Sequence, residues 1–588
     1  MTEFLLRLKQ RKLVQWALAY IAFAFALLQG MDVVAHQFGW PDGLQRGVTL
    51  ALVVGFFVVV VLAWYHGERG AQRVSSTEIV ILALLLAIGG GLLWRFERAT
   101  PATSPETAQR NPGTIPIAPT VAIPTKSVAV LPLSNESGEK DQQYFSDGLS
   151  EDLITALSQF AGLKVINRDS SFQFRGSKDS VQAIGAKLGV AHLLEGSVQK
   201  LGEEVRISAE LVNASDGSTL WSQHYDRPYK DLFALQDDIT KSVADALKAK
   251  LLDTSGGAMP QSDRPPSGSL AAYNDALQGR FYTQRNTEAD LRKAIGYFGD
   301  ATRLDPRYAL AWAELGSANA ILAGNYLGGS QAVQTWSKAR AAVHTALSLD
   351  PNLAVAHSVN VFILASADHD WARAEVEAQR AYQLAPDKGY FALAEMRGAL
   401  GHAQQAVELL QHGLPTDPLC VGCYDYLARY LPALGRFDDA AQAERKALQL
   451  NPEYYFGRFQ LTYVYAMRGD AAAALQAAQQ QPPGNWRDLA VALALQLGGK
   501  QATADAALPK VIAGQAGYAA YQIAEIYALR RDPDDMFKWL ERANQNRDPG
   551  ITLLLTDPPV LRYKNDPRFA AFCKKVGLPV TTDAKALL

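Results

Sequence analysis

Cys420 and Cys423 are separated by two residues in DPLCVGCYDYL, and Cys573 is the third cysteine of a 588-residue chain. A Cys-x-x-Cys pair opening a helix can work as a dithiol redox centre, because the helix N-terminus lowers a thiol's pKa. No thioredoxin-like strand–helix pattern surrounds it, however. It can supply half of a zinc site, but only Cys573 and scattered histidines remain as further ligands. Outside the cytoplasm it can close into a short-loop disulfide that pins the helix start. It can also pack as two free thiols. These readings stay open at the level of sequence, and the compartment bears on them all.

The other candidates are weaker. Ser150 sits in GLSED, not in the G-x-S-x-G of an activated serine, and reads as a helix cap together with Ser146 and Asp147. Glu151 and Asp152 resemble a carboxylate pair, but acids at a helix start are favoured by the helix dipole alone. Asp368-His369-Asp370 could hold a cation and reads more simply as a solvated turn between helices. Trp221 could belong to a ligand platform, although a strand tryptophan beside a sheet core usually packs. Gly498-Gly499-Lys500 lacks the upstream glycine and following hydroxyl of a phosphate-binding loop, and the nine histidines never form H-E-x-x-H. With no catalytic motif left, the expectation is a protein that is not an enzyme and carries no cofactor and no metal.

What must position these residues begins with size. The chain is too long for one core, so three or four folded units are expected. Its net charge is −2 with 20% charged residues, and no surplus of Lys and Arg exists to neutralise nucleic-acid phosphates. The first hundred residues are far more apolar than the rest. Runs at residues 13–34, 48–65 and 79–94 (the last containing Gly89-Gly90-Gly91) approach the roughly 20 apolar residues that span a bilayer. A signal peptide explains only one of them, and buried core helices would show polar faces. Three membrane-spanning helices are expected, with the lipid bilayer as a partner. Arg7, Lys9, Arg11, Lys12, Arg69 and Arg73 lie on one side of these spans, and Arg46, Arg95 and Arg98 on the other. The richer side belongs in the cytoplasm, which puts the N-terminus inside and everything after residue 98 outside.

Residues 99–125 carry six prolines and read as an extended spacer. From Lys126 the texture changes. SVAVLPLSN alternates as a strand, YFSDGLSEDLITALSQF has a helical period, LKVIN is a short strand and VQAIGAKLGV an amphipathic helix. AHLLEGSVQK, EVRISAELVNA and STLWSQHYD read as three strands joined by hairpins at Leu201-Gly202 and Asp216-Gly217. DLFALQDDITKSVADALKAKLL closes the unit as a helix. This is an α+β domain over residues 126–252. YFSDGLSEDL, LEGSV and LWSQHYDR resemble the TolB-like domain of bacterial membrane proteins, which is typically followed by tetratricopeptide repeats. That resemblance implies a bacterial membrane protein, and with the Lys/Arg topology its soluble domains are expected in the periplasm. Some relatives carry a cytoplasmic winged-helix or cyclase domain. The dozen residues before the first apolar run leave no room for one here, which argues against DNA binding or nucleotide cyclisation by this chain.

After a linker at 253–268, a period of 32 to 45 residues appears. Ala294/Ala301/Pro306 recurs as Ala339/Ala346/Pro351, Ala374/Ala381/Pro386 and Ala440/Ala447/Pro452, with Ala406 and Pro418 as a partial copy. This spacing matches tetratricopeptide (TPR) repeats over 269–480, with one insertion between Gly324 and Trp336. Trp312 and Leu315-Gly316 supply bulk followed by a close helix approach. Residues 481–588 continue as degenerate helical repeats and a tail. The fold class is therefore multidomain: a membrane domain (1–98), an α+β domain and an all-α solenoid. Aligning the repeats places Asp425, Arg429, Phe456, Phe459 and Tyr463 on the concave face as candidate partner-binding residues. The alternative is that the aromatics pack between repeats. A Lys/Asn clamp for chaperone tails is not evident, since Ala313, Glu314 and Ser317 occupy the equivalent places. The expected function is a scaffold or adaptor that binds a protein. The rival is an envelope-sensing component of signal transduction acting with a cytoplasmic partner.

Overall fold

A computed structural model describes residues 123–580, apart from 139–141, 248–249, 252–263, 455 and 498–500. The three apolar runs, and the membrane topology expected of them, lie outside the described residues. Among the described residues no helix is long and apolar enough to cross a membrane.

The α+β domain runs in the order β1 (Ser127–Val130), β2 (Ser134–Asn135), α1 (Gln143–Leu157), β3 (Phe160–Ala161), β4 (Lys164–Val165), α2 (Arg168–Ser171), α3 (Val181–Leu188), β5 (His192–Leu201), β6 (Glu204–Asn213), β7 (Thr219–Pro228), α4 (Leu232–Ala246) and β8 (Lys250–Leu251). β1 lies between β4 and β5 and is parallel to both. β5, β6 and β7 form an antiparallel meander, giving the order β4-β1-β5-β6-β7. Both expected hairpins are present, with Gly202 (φ 60°) and Gly217 (φ 74°) in the left-handed region that the turns require. β1 is buried throughout, and Val128, Ala129 and Val130 are apolar because both of its faces are covered. Val128 and Val130 face α1 and α4, while Ala129 packs with α3 on the other side.

One local expectation fails. α1 starts at Gln143, so Ser150 is not a cap: its hydroxyl bonds the Ser146 carbonyl at 2.8 Å and accepts the Leu133 amide at 3.0 Å. Glu151 and Asp152 then fall in the third turn, beyond reach of the helix-end charge. The cause is the apolar stripe of Phe145, Leu149 and Leu153, which carries the helix back past Ser146.

The solenoid is built from antiparallel pairs: α5 (Leu270–Arg285) with α6 (Glu288–Leu304), α7 (Ala309–Asn325) with α8 (Gly329–Leu349), α9 (Ala354–Ile363) with α10 (Trp371–Leu384), and α11 (Pro386–Ala399) with α12 (Ala403–Gly413). The second half continues with α13 (Val421–Tyr430) and α14 (Phe437–Leu450), α15 (Gly457–Arg468) and α16 (Ala471–Gln480), α17 (Asn485–Leu495) and α18 (Gln501–Gln515), and α19 (Ala520–Arg530) and α20 (Pro533–Asn546). The repeating prolines act through the residue before them. Asp305, Asp350, Ala385 and Asn451 are all forced out of the helical region, ending the second helix of each pair. Gly316 is small because a Cβ there would meet the Val343 side chain at 2.6 Å. The insertion extends a helix rather than a loop, since α8 reaches 21 residues.

Two intramolecular contacts close this array. At its start, α1 lies on α5, and Tyr273 and Leu277 of α5 belong to the core of the α+β domain. A Cβ at position 148 would run into the Leu277 side chain, which would have to shift to admit it. Asp152 accepts hydrogen bonds from the Tyr273 hydroxyl and from Gln236 Nε2 (2.8 Å), and it faces Arg280, which also pairs with Glu314 at 2.6 Å. Farther along, the Asn167 amide donates to the Thr416 carbonyl (2.8 Å), and Ser170 Oγ donates to Asp417 (2.5 Å) while accepting the Leu419 amide (2.7 Å). At the other end, α21 (Pro558–Leu561) and α22 (Pro567–Lys575) fold back, and Trp371 Nε1 donates to the Val576 carbonyl at 2.7 Å. Asp368-His369-Asp370 is the turn before α10, with Asp368 exposed and the other two partly covered. Asp368 pairs with Arg340, Asp370 caps α10, and His369 stacks on Trp371 beside Arg547. Burial and the Arg547 charge push the His369 imidazole down to about 4.

Asp152→Ala leaves Tyr273, Gln236 and Arg280 with a lost acceptor in a buried junction. It is expected to destabilise the full chain by about 3 kcal/mol. Chemical unfolding measures this, and hydrogen exchange should show α1 and α5 losing protection together.

Candidate functional site

The second half of the solenoid carries a cleft, and its construction begins at the cysteine pair. Cys420 is the N-cap of α13, and its sulfur accepts the Cys423 amide at 3.0 Å. The two sulfurs are joined in a disulfide, with Sγ–Sγ 2.07 Å. With Asp417 they form a group of potential metal ligands within 4.8 Å of one another, but sulfurs bonded to each other offer no thiolate. Cys573 is buried elsewhere, and burial pushes its thiol up to about 11. The pair therefore pins the start of α13 next to Asp417 and Leu419, where α2 docks.

One turn into α13, Asp425 is fully buried and pairs with Arg429 at 2.7 Å. The guanidinium lies 4.6 Å from the ring centres of both Tyr426 and Phe456. Glu444 of α14 is equally buried beside this pair. Burial first, and then the Asp425 charge, raise its carboxyl well above the usual range, so Glu444 holds its proton.

Phe456, Phe459 and Tyr463 form a stripe at helical spacing along α15. Phe456 and Phe459 pack on Trp486, with ring centres 4.8 and 5.3 Å away. Tyr463 donates to Asp557 at 2.5 Å, and Tyr521 of α19 donates to the other Asp557 oxygen at 3.1 Å. Arg429, Phe456, Gln460, Tyr463, Glu525 and Asp557 line a cleft of about 340 Å³, its open mouth included. Of the residues proposed from sequence, Arg429, Phe456 and Tyr463 meet at this cleft, whereas Asp425 and Phe459 lie behind its wall. Glu314, one of the positions where a clamp was sought, is held by Arg280 instead.

Glu525 and Asp557 were not anticipated. Glu525 is 2% exposed, and its Oε2 has no hydrogen-bond partner among the described residues. Burial raises it well above the usual carboxylate range, with the Asp557 and Asp548 charges acting the same way. Burial also lifts Asp548 and Asp557 to about 6, against the hydrogen bonds they accept. Both residues lie where the repeat period fades. Asp557 had a local signal, an acid before Pro558-Pro559 at a helix start; Glu525, within AEIYALRR, had none. The cleft joins an aromatic wall to a floor of buried carboxyls.

Comparison with known proteins places this geometry in context. Residues 124–242 match the family model described as the second domain of HilA/YgeH-like transcriptional regulators, a stretch containing YFSDGLSEDL and LWSQHYDR. A protein of Rhizobium meliloti (strain 1021) named putative adenylate cyclase 3 is 32% identical over 308 residues, 52% of this chain. The match spans 41% of that relative's length. Among solved structures, a tetratricopeptide repeat protein from Parabacteroides merdae is 13% identical and covers 45% of this chain and all of its own, with a TM-score of 0.33. Yeast Tom70 is 15% identical, covering 53% of this chain and 68% of its own, with a TM-score of 0.32. The chain thus joins an α+β domain shared with HilA/YgeH-like regulators to a TPR-like helical region.

A carboxyl raised by folding favours the folded state below its unfolded pKa, and that advantage is lost as pH rises toward the folded value. Glu444 is such a group, so the folded chain loses stability as pH rises past the range of an unfolded carboxyl. Glu444→Gln is therefore expected to lose less thermal stability than the parent between pH 5 and pH 8. Paired melting curves across that range check the sign.

Proposed function

We propose that this chain is a non-catalytic regulatory component anchored in a bacterial inner membrane, with its solenoid receiving a segment of a partner protein on the periplasmic side. The observation that carries this reading is the junction between domains. The α+β domain, of a kind shared with regulators, has its core completed by Tyr273 and Leu277 of the first repeat. A change in solenoid curvature on binding is therefore felt directly by α1. The three apolar runs support anchoring, the Lys/Arg bias supports a cytoplasmic N-terminus, and the Cys420–Cys423 bond suits an oxidising compartment. The TolB-like resemblance of YFSDGLSEDL supports the same placement. The cyclase name belongs to the relative, which this match covers only in part, and the motif search favours a non-catalytic role.

One observation favours a simpler scaffold. The cleft is built from α13, α15, α19 and residues 553–558, none of which belongs to the α1–α5 junction, so occupancy could leave that junction untouched. The two readings separate in one experiment. A photo-crosslinking residue replaces Met467, which lines the cleft, in the full chain in its native membrane. A discrete crosslinked protein is expected, and its capture should alter hydrogen exchange in α1 and α5. Capture without that change favours the scaffold, and no crosslinked species overturns both.

Placement outside the cytoplasm makes a separate prediction. Protein alkylated during extraction from membranes should show one titratable thiol after denaturation and three after reduction. Three thiols before reduction would put the domains on the cytoplasmic side.

A further inference from the structure

We propose that the cleft between α13, α15, α19 and residues 553–558 is a subsite for a cationic side chain, lysine or arginine, of the bound protein segment. This deepens the partner-binding reading above and rests on it. The first argument is charge. Glu525 and Asp557 line the cleft, and Asp425 and Glu444 lie directly behind its wall. Arg429 is the one base among the described lining residues, and it is already engaged by Asp425 at 2.7 Å. Glu444 and Glu525 are held neutral, so the charged acids are Asp425, answered by Arg429, and Asp557, which Arg562 also influences; the lining itself offers no second cation to Glu525.

The second argument is the orphaned oxygen. Asp557 is satisfied by two phenols, but Glu525 Oε2 finds no hydrogen-bond partner among the described residues while 98% of the residue's surface is covered. A buried acceptor left in that state costs about 1–3 kcal/mol, which a donor from a ligand returns. The third is shape. Phe456 and Tyr463 line the cleft, and Phe456 already lies against the Arg429 guanidinium at 4.6 Å, the contact by which an aromatic ring attracts a cation. The remaining space is narrow, so it takes the charged head of one side chain rather than a larger ligand.

Occupancy should be coupled to a proton. The charged and titratable groups around Glu525 are Asp557 from the tail, Asp548 after α20, Arg429 of α13, Tyr463 of α15 and Tyr521 of its own helix. The surrounding acids and the burial keep Glu525 protonated when the cleft is empty. A cation at Oε2 favours the carboxylate, so the proton leaves to solvent as the cation binds.

The test is isothermal titration of the full-length protein in lipid nanodiscs with acetyl-Ala-Xaa-Ala-amide, where Xaa is Arg, Lys, citrulline or Glu. The Arg and Lys peptides should bind at least about tenfold more tightly than the citrulline peptide. Their heats should depend on the buffer's ionisation enthalpy, reporting proton release, and affinity should rise from pH 6 to pH 8. Glu525→Gln, nearly isosteric with the protonated acid, should keep the fold and abolish both the preference and the released proton. Tyr463→Phe, which keeps the ring, should retain the preference. Equal affinity for Arg and citrulline, tighter binding of the Glu peptide, or no heat with any peptide at millimolar concentration overturns the proposal. A partner crosslinked at position 467 without any cation preference would sink the subsite and leave the partner-binding reading standing. Cation binding with no crosslinked protein would do the reverse.

Discussion

The whole described structure hangs on one buried carboxylate, Asp152. It sits in the middle of α1, accepts from Gln236 on α4 and Tyr273 on α5, and opposes Arg280. These donors come from two different elements, so the side chain fixes the α+β domain and the first repeat in a single geometry. A hydrophobic contact alone would tolerate sliding; several directed bonds to one acceptor do not. Leu277, seated over Gly148, supplies the apolar half of the same junction. The repeat array therefore does not begin as an open-ended stack. Its first helix is capped by a folded domain, which meets the need of any solenoid to cover its terminal face.

The far end solves the same problem with its own chain. Residues 549–578 turn back, and the Trp371 indole, bonded to the Val576 carbonyl, ties the tail to the third helix pair. Val361, Leu364, Phe569 and Phe572 share one core as a result. The consequence for function is subtractive. The domain covers part of the inner surface near α5 and the loop before α13, and the tail covers another part. The cleft at Arg429, Phe456 and Tyr463 lies beside this tail, whose residues 553–558 form part of its lining.

The legibility of this arrangement follows the range of the interactions. The helix pairs were readable because proline acts on its immediate neighbour and alanine on a helix one turn of sequence away; both signals repeat. The hairpins at Gly202 and Gly217 were readable for the same reason. Glu151 and Asp152 were misread because a purely local rule, acids near a helix start, accounts for them without the 121 residues that separate Asp152 from Tyr273. The contacts of His369 were equally out of reach of a local rule, since Arg547 lies 178 residues away. In the cleft, the stripe on α15 showed its period, whereas Glu525 and Asp557 become neighbours only through the fold of the tail. The cysteine pair lay between these cases. Its spacing allowed a disulfide, but the loop that brings it against Asp417 and Ser170 is tertiary.

Why such a site should retain so many acids is itself informative. Replacing a buried ionisable group with an apolar one of similar size is often neutral or stabilising, so retention asks for another reason. Asp425 has one in Arg429, and Asp557 has one in two phenols. Glu444 and Glu525 are different, because each is held neutral by burial and by the charges beside it. A neutral carboxyl at the base of an aromatic cleft is a group whose charge state the occupant can set. Glu525 sits on α19, whose apolar residues share one core with those of α15 and the returning tail. The chemistry of the cleft and the closure of the fold are thus written in the same few side chains.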